Sequence, residues 1–407
     1  MLKRSLRRSD ERARARSLVV SGVAVIAVTY GLARYGYGLH LPQFRAAFGL
    51  SSGAAGAIAA GGYVGYCGAA VVASGLVGGG RARQALWAAG GTAALGSLIV
   101  AVAWNGASLA VGALIAGSGA GAATPALVAA VAGTVPSPDQ ARAQGLVNGG
   151  TGAGVVGGGL LVLAVPDAWR WSWVGFAVLA LLVTAWADRR TRWQSVRDGR
   201  AGGDAPGPEE RSTVRGLGRP LVAAVLAGAG CAGVWTFARD LLATDGGLSP
   251  AVTGLLWCLL GAAGLLGGLS GVLVRRVGLR AAWRSTVVAA ATGTALLGVL
   301  PGTVLPAALA LGCFGAAFVA LSGVLLAWGA HRRPAAAPAA AAVLFVGLTV
   351  GQAAGAVVLG MVSEAAGTAT AFLAAGALLL VAAAVAERRP ATGHGCRSTA
   401  VRNEPSM

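Results

Sequence analysis

The chain has 407 residues, of which 11% are charged and 56% hydrophobic, with a formal net charge of +18 and a mean hydropathy of +0.71. So few charges cannot cover the surface of a water-soluble domain of this length. The positive excess does not point to nucleic acid either, because the arginines lie between apolar runs rather than along one face.

Residues 1–16 form a basic tail with Lys3, Arg4, Arg7, Arg8, Arg12, Arg14 and Arg16. An apolar run comes next without an evident small-residue cleavage site, so it reads as a retained helix rather than a signal peptide. A helix needs about 20 residues to cross the hydrocarbon core. The runs predict spans at 17–41, 53–78, 85–104, 109–135, 146–165 and 171–186, then at 220–243, 252–274, 285–300, 304–328, 339–362 and 368–386. The runs are continuous and lack period-two alternation, which predicts helices rather than barrel strands. The fold class expected is an all-α membrane protein of twelve transmembrane helices in two six-helix bundles.

Arginine occupies every second connector. It recurs at Arg81, Arg83 and Arg142, from Arg189 to Arg219, around Arg275, Arg276, Arg280 and Arg284, and at Arg332 and Arg333, while the intervening connectors hold little beyond Arg45 and Arg170. Arginine near the end of a span resists translocation. The pattern predicts an inner-membrane protein with both termini in the cytoplasm. Between 187 and 219 the composition turns to arginine, acid, Gly and Pro, which reads as a solvated cytoplasmic linker between bundles at 17–186 and 220–386, with a C-tail at 387–407.

The halves echo each other. Gly49-Leu50-Ser51 followed by Gly56 matches Gly247-Leu248-Ser249 followed by Gly254, each just before the second span of its half. Two matching six-helix repeats around a central cavity are a transporter design. Of the five cysteines, Cys67, Cys231, Cys258 and Cys313 fall within apolar runs and Cys396 in the tail, with no metal-ligand spacing, so they read as small core residues.

This arrangement resembles the major facilitator superfamily over essentially the whole chain. The most specific signature is the connector G-x-x-x-D-R-x-G-x-R, matched by Gly271, Arg276, Gly278 and Arg280, with Arg275 where the acid belongs. Gly75, Arg81 and Arg83 are its remnant in the first half, again without the aspartate that usually clamps the inner gate. The position of the fourth-helix arginine, four residues before Gly117, holds Ala113. Gly150, Gly154, Gly158 and Gly159 look like the antiporter motif of the fifth helix, with Val155 in place of its proline. Such glycines allow close helix contact and bending, and ordinary small-residue packing explains them as well. Gly31, Arg34, Tyr35, Tyr37 and Gly38 followed by Leu41-Pro42 resemble the YbfB/YjiJ-type branch, as do Gly351-Gln352 and Gly355. The branch implies a secondary transporter and supplies no substrate.

Arg34 is the sharpest candidate for substrate contact, since a charge within a span costs about 2.5–3.5 kcal/mol on insertion scales. Tyr30, Arg34 and Tyr37 fall at i, i+4 and i+7, one helical stripe that could offer a guanidinium fork and two phenols to an organic anion. The alternative is a structural arginine that ties helices or snorkels. On the seventh span Trp235 and Arg239 share a face, and Asp240 comes directly after. Asp240 is a candidate for proton coupling, while the loop-like sequence at 244–250 favours a solvated residue at the outer mouth. Phe345, Thr349 and Gln352 make another stripe, suited to pocket lining or interhelical hydrogen bonding. Tyr63, Tyr66 and Trp257 suit an aromatic wall or core filling, and Thr124-Pro125 suits a bend better than a contact.

The function expected is secondary active transport of a small solute, with an organic anion as the candidate class. Efflux of hydrophobic compounds by an antiporter of the same superfamily is the runner-up. Lys3 is the only lysine and no nucleotide-binding P-loop occurs, so energy must come from a proton or other ion gradient or from the substrate itself. His40, His331 and His394 are scattered, so an enzyme is not expected, nor are a cofactor, a metal or a nucleic-acid partner. The bilayer and a small solute are the expected partners, and the protein is expected to be a monomer. A non-transporting receptor of the same fold is the reading from another class.

Overall fold

The computed structural model describes residues 2–193 and 216–386, with side chains from Ala13 onward. The acidic core of the expected linker (198–210), the C-tail with Cys396, and most of the basic N-tail side chains lie outside the described residues.

Helix α1 (Leu2–Ile26) runs into a π-helical segment, Ala27–Arg34, and then into two short helices, α2 (Gly36–Leu39) and α3 (Leu41–Phe48). Then come α4 (Ser52–Gly78), α5 (Ala82–Ala101), α6 (Gly106–Thr134), α7 (Ser137–Ala164) and α8 (Trp169–Arg190). Beyond the linker lie α9 (Gly218–Thr244), α10 (Pro250–Gly264), a 3-10 turn at Leu265–Leu269, α11 (Ser270–Val277) and α12 (Leu279–Val299). The last are α13 (Val304–Arg332), α14 (Ala337–Ala366) and α15 (Thr368–Ala384).

Among the described residues, ten helices are long and apolar enough to cross a membrane. Two expected spans are not among them. Helix α12 carries Arg280 and Arg284 near its start, and α15 has only 17 residues. Helix α7 starts nine residues before the apolar run at 146, because Ser137-Pro138 at its N-terminus suits a helix start better than polarity alone reveals. Helix α3 extends the first rod through residues the sequence assigned to a connector.

The repeated Gly-Leu-Ser is a turn performed twice. Gly49 and Gly247 adopt φ of 61° and 63°, a left-handed conformation that glycine enters without steric cost. Ser51 accepts from the Ala54 amide and Ser249 from the Val252 amide, so each serine caps the helix after it. The next glycine in each copy is a contact point between halves. A Cβ on Gly56 would strike the Ala356 carbonyl of α14, and one on Gly254 would press on Gly159 and Leu163 of α7.

The α4–α14 and α10–α7 seams are thus pseudo-symmetric, and they join the N-terminal half (α1–α8) to the C-terminal half (α9–α15). In lipid the driving force for such seams is close packing, which small residues permit. Gly150 and Gly154 let α7 meet the backbone of the first rod at Val23 and Ala27, Gly158 faces the Leu32 and Leu39 side chains, and Gly159 faces Cys258. Helix α7 runs unbroken from Ser137 to Ala164, so these glycines act as contact surfaces within a continuous helix.

Two faces of the bundle can be told apart. The terminal face carries the start of α1 and the α8–α9 connection, and the opposite face carries α3 and the start of α4. At the terminal face Arg83 grips Asp188 with two bonds of 2.8 Å, Nε to Oδ1 and Nη2 to Oδ2, tying α5 to α8 within one half. Gly271 and Gly278 are exposed there, with Gly278 at φ 80° ending α11, and Arg276 is exposed as well.

Candidate functional site

The π-helical segment shapes the site. Its wide turn closes with the Tyr35 amide donating to the Tyr30 carbonyl over 3.0 Å. The extra residue in that turn rotates the residues after it. Arg34 and its neighbour Tyr35 therefore line one cavity, where an α-helix would point them apart.

Arg34 is buried, 7% exposed. Its Nη2 donates to Gln352 Oε1 over 2.9 Å and, more weakly, to Thr349 Oγ1 over 3.5 Å, both on α14 of the other half. Four tyrosine rings surround the guanidinium, with its carbon 4.3 Å from the centre of Tyr66, 5.2 Å from Tyr63, 5.3 Å from Tyr35 and 5.4 Å from Tyr30. The electron-rich ring faces offset part of the cost of removing a cation from water. No carboxylate pairs with Arg34 among the described residues, and its Nε and Nη1 have no hydrogen-bond partner there. Two buried N–H-bearing nitrogens thus remain uncommitted.

The rings are themselves held in place. Tyr30 Oη bonds to Tyr66 Oη over 2.9 Å and to Thr124 Oγ1 over 2.7 Å, so Thr124 is a contact as well as a neighbour of Pro125. Tyr35 stacks on Trp235 of α9, centroids 3.9 Å apart and planes 20° apart. Trp235 meets Phe318 at 5.1 Å and Trp257 at 6.1 Å edge to face, and its indole nitrogen has no partner among the described residues. The cavity bounded by Arg34, Tyr35, Tyr63 and Trp235 measures about 20 Å³, room for about one water.

The stripes seen in the sequence are brought together only in part. Tyr30, Arg34, Trp235 and Gln352 converge on one cage. Tyr37 lines the cavity, but its hydroxyl donates to the Ala55 carbonyl of α4 over 2.9 Å.

Arg239 is committed elsewhere. It donates to the Leu39 carbonyl, to Gln43 Oε1 at 2.8 Å and to Thr253 Oγ1 at 3.3 Å. Asp240 is buried, 1% exposed, and pairs with Arg45 over 2.5 Å. This corrects the solvated mouth expected for it, because α3 folds back over the end of α9. Adjacent positions on one helix thus send Arg239 and Asp240 to different residues of the same cover. Beyond them Glu364 of α14 accepts from the Gly53 amide over 2.8 Å and the Ser51 hydroxyl over 2.9 Å. These bonds between halves stitch the opposite face.

Sequence reasoning missed Tyr35, Gln43, Arg45 and Glu364 as participants. Tyr35 had no signal beyond its place in a Gly- and Tyr-rich stretch, since its role depends on the π-turn. Arg45 and Glu364 stood out only as isolated charges near span ends.

An all-helical membrane protein with a polar cage between two pseudo-symmetric halves defines a secondary-transporter architecture. The family described as "Uncharacterised MFS-type transporter YbfB" matches residues 26–388, and the chain belongs to this family of the major facilitator superfamily. The family and its structural neighbours are transporters rather than enzymes. Among sequence relatives, the "Transcription regulatory protein OpdE" of Pseudomonas aeruginosa is 31% identical over 261 residues, covering 61% of this chain. The match spans 63% of that relative's length.

Among solved structures, the nucleoside transporter NupG superposes with a TM-score of 0.75 at 13% identity, over 90% of this chain and 98% of NupG. A D-xylose–proton symporter gives 0.68 at 16% identity, over 91% and 96%. A human organic anion transporter gives 0.62 at 18%, over 92% and 99%. At these identities the likeness is one of fold.

Proposed function

We propose that the protein is a secondary transporter carrying a small organic anion across the inner membrane by alternating access, with Arg34 as the anion-binding group. One observation carries this reading. Arg34 sits buried between the halves with two uncommitted nitrogens and no carboxylate partner among the described residues. A buried guanidinium recognises carboxylates through two parallel N–H bonds, and here those bonds await an acceptor. Tyr30, Trp235 and Gln352 complete the binding cage, with Tyr37 bounding it.

The arginine pattern supports a cytoplasmic terminal face, with bundles at 17–186 and 220–386 and the linker inside the cell. The opposite face, sealed by Arg45–Asp240, Arg239 and Glu364, then closes the site to the outside. The chain has twelve spans if α12 and α15 cross the bilayer with the other ten. Asp240 is the candidate for coupling to protons or another ion, as the one buried carboxylate among the described side chains and a member of the outer seal. Gly271, Arg276, Gly278 and Arg280 take the inner-gate role in the opposite state, and the protein works as a monomer.

A thermal-shift screen of small carboxylates tests this reading on the wild type and on Arg34→Ala. Carboxylates should stabilise the wild type, and the effect should vanish in the variant. Equal stabilisation of both overturns the role of Arg34. Stabilisation of both by uncharged apolar compounds alone would favour a hydrophobe exporter.

A further inference from the structure

The cage holds more than a charge. Tyr35 belongs to the N-terminal half and Trp235 to the C-terminal half, yet their rings lie face to face, 3.9 Å apart and 20° from parallel. Edge-to-face contacts with Phe318 and Trp257 fix the Trp235 ring within its own half. Its partner on the stacked face is thus the ring that comes from across the molecular divide. Arg34 immediately precedes Tyr35 in the chain, and its guanidinium lies 5.3 Å from the Tyr35 ring. The remaining space admits about one water, so a ligand does not fit beside the stack. It fits by parting the stack, which would take the rings to roughly 7 Å apart, twice an ordinary contact distance.

We infer that the ligand is a planar aromatic monocarboxylate, whose ring inserts between Tyr35 and Trp235 while its carboxylate takes the free nitrogens of Arg34. This rests on the anion reading above and sharpens it. A flat ring exchanges one Tyr–Trp stack for two ring contacts, one on each half, and so bridges the halves in place of their direct contact. A single charge matches the single uncommitted cation among the described residues of the cage, since Arg239 is bonded to Leu39, Gln43 and Thr253. The unpartnered indole N–H of Trp235 offers another donor to the carboxylate or to a ring hydroxyl. A saturated ring of the same size is puckered and stacks poorly, so the site should tell the two apart.

Radiolabelled benzoate is the probe, bound to purified protein and displaced by cyclohexanecarboxylate and by benzamide. Benzoate should bind, and cyclohexanecarboxylate should compete about tenfold less well. Benzamide, which has the ring without the charge, should not compete. Tyr35→Leu and Trp235→Leu should each abolish the preference for benzoate over cyclohexanecarboxylate at an unchanged melting temperature. Should either variant fold poorly, the wild-type displacement series decides by itself. Equal displacement by both carboxylates would overturn the aromatic inference and leave the anion reading standing. Displacement by benzamide as strong as by benzoate would overturn both. Absence of benzoate binding by folded wild-type protein would overturn the aromatic inference.

Discussion

Arg34 of the π-helical segment and Gln352 of α14 are joined by a 2.9 Å hydrogen bond that crosses from one half of the molecule to the other. Both side chains are buried, so this bond ties the position of the cage to the relative position of the halves. Whatever displaces Gln352 from Arg34 also loosens the halves at mid-depth. Binding and movement are thereby linked through one contact.

Replacing Arg34 by lysine keeps the charge and removes the fork. A point charge cannot present two parallel N–H groups to a carboxylate. Arg34→Lys is expected to lose about tenfold or more in carboxylate affinity while remaining folded, as read by equilibrium binding beside thermal unfolding.

The outer seal is an ion pair buried on one side, with Asp240 1% and Arg45 30% exposed. Asp240→Asn removes the charge that holds Arg45 and should loosen α3 from α9. A cysteine placed at Ala59, on the cavity wall, is expected to react faster with an impermeant maleimide from the outer face in this variant, in a background without native cysteines. An unchanged rate would place the seal elsewhere, on Arg239 or Glu364.

Close packing of α7 on the first rod depends on absent side chains. A methyl group at Gly154 would collide with the Ala27 carbonyl and Gly31 Cα, whereas one at Gly157 meets nothing within 4 Å. Gly154→Ala should therefore destabilise the protein by about 1–3 kcal/mol. Gly157→Ala should be neutral or slightly stabilising, because alanine is the better helix former. Thermal unfolding in one detergent compares the two directly.

The two capping serines are equivalent in their turns and unequal in their partners. Ser249→Ala should cost about 1 kcal/mol for a lost cap. Ser51→Ala should cost more than that and also raise outer-face reactivity, because Ser51 donates to Glu364 as well.

Much of this was legible in the chain because lipid enforces it. Continuous apolar runs must become helices, arginine placement follows insertion, and the Gly-Leu-Ser repeat encodes a turn whose glycine and serine have fixed tasks. The Arg34 and Gln352 stripes were visible at helical spacing, and they meet. The rest depended on departures from the α-helix. Tyr35 enters the cage only because residues 27–34 are π-helical, and a 3.6-residue count sends it away from Arg34. Asp240 looked exposed because α3 was read as connector, yet that helix covers it. Arg239 shares a helix face with Trp235, but a backbone carbonyl at Leu39 claims it, and no side-chain pattern reveals such a partner.

The central claim is that the Arg34 cage is reached from the two faces in turn. Its most direct test is side-specific maleimide labelling of the Ala59→Cys protein, with and without a disulfide placed between cysteines at Gly53 and Gly360, which face each other across the outer seam. The unlocked protein should label from both faces of oriented vesicles, and the locked protein from the terminal face alone. Labelling from one and the same face in both forms would contradict alternating access.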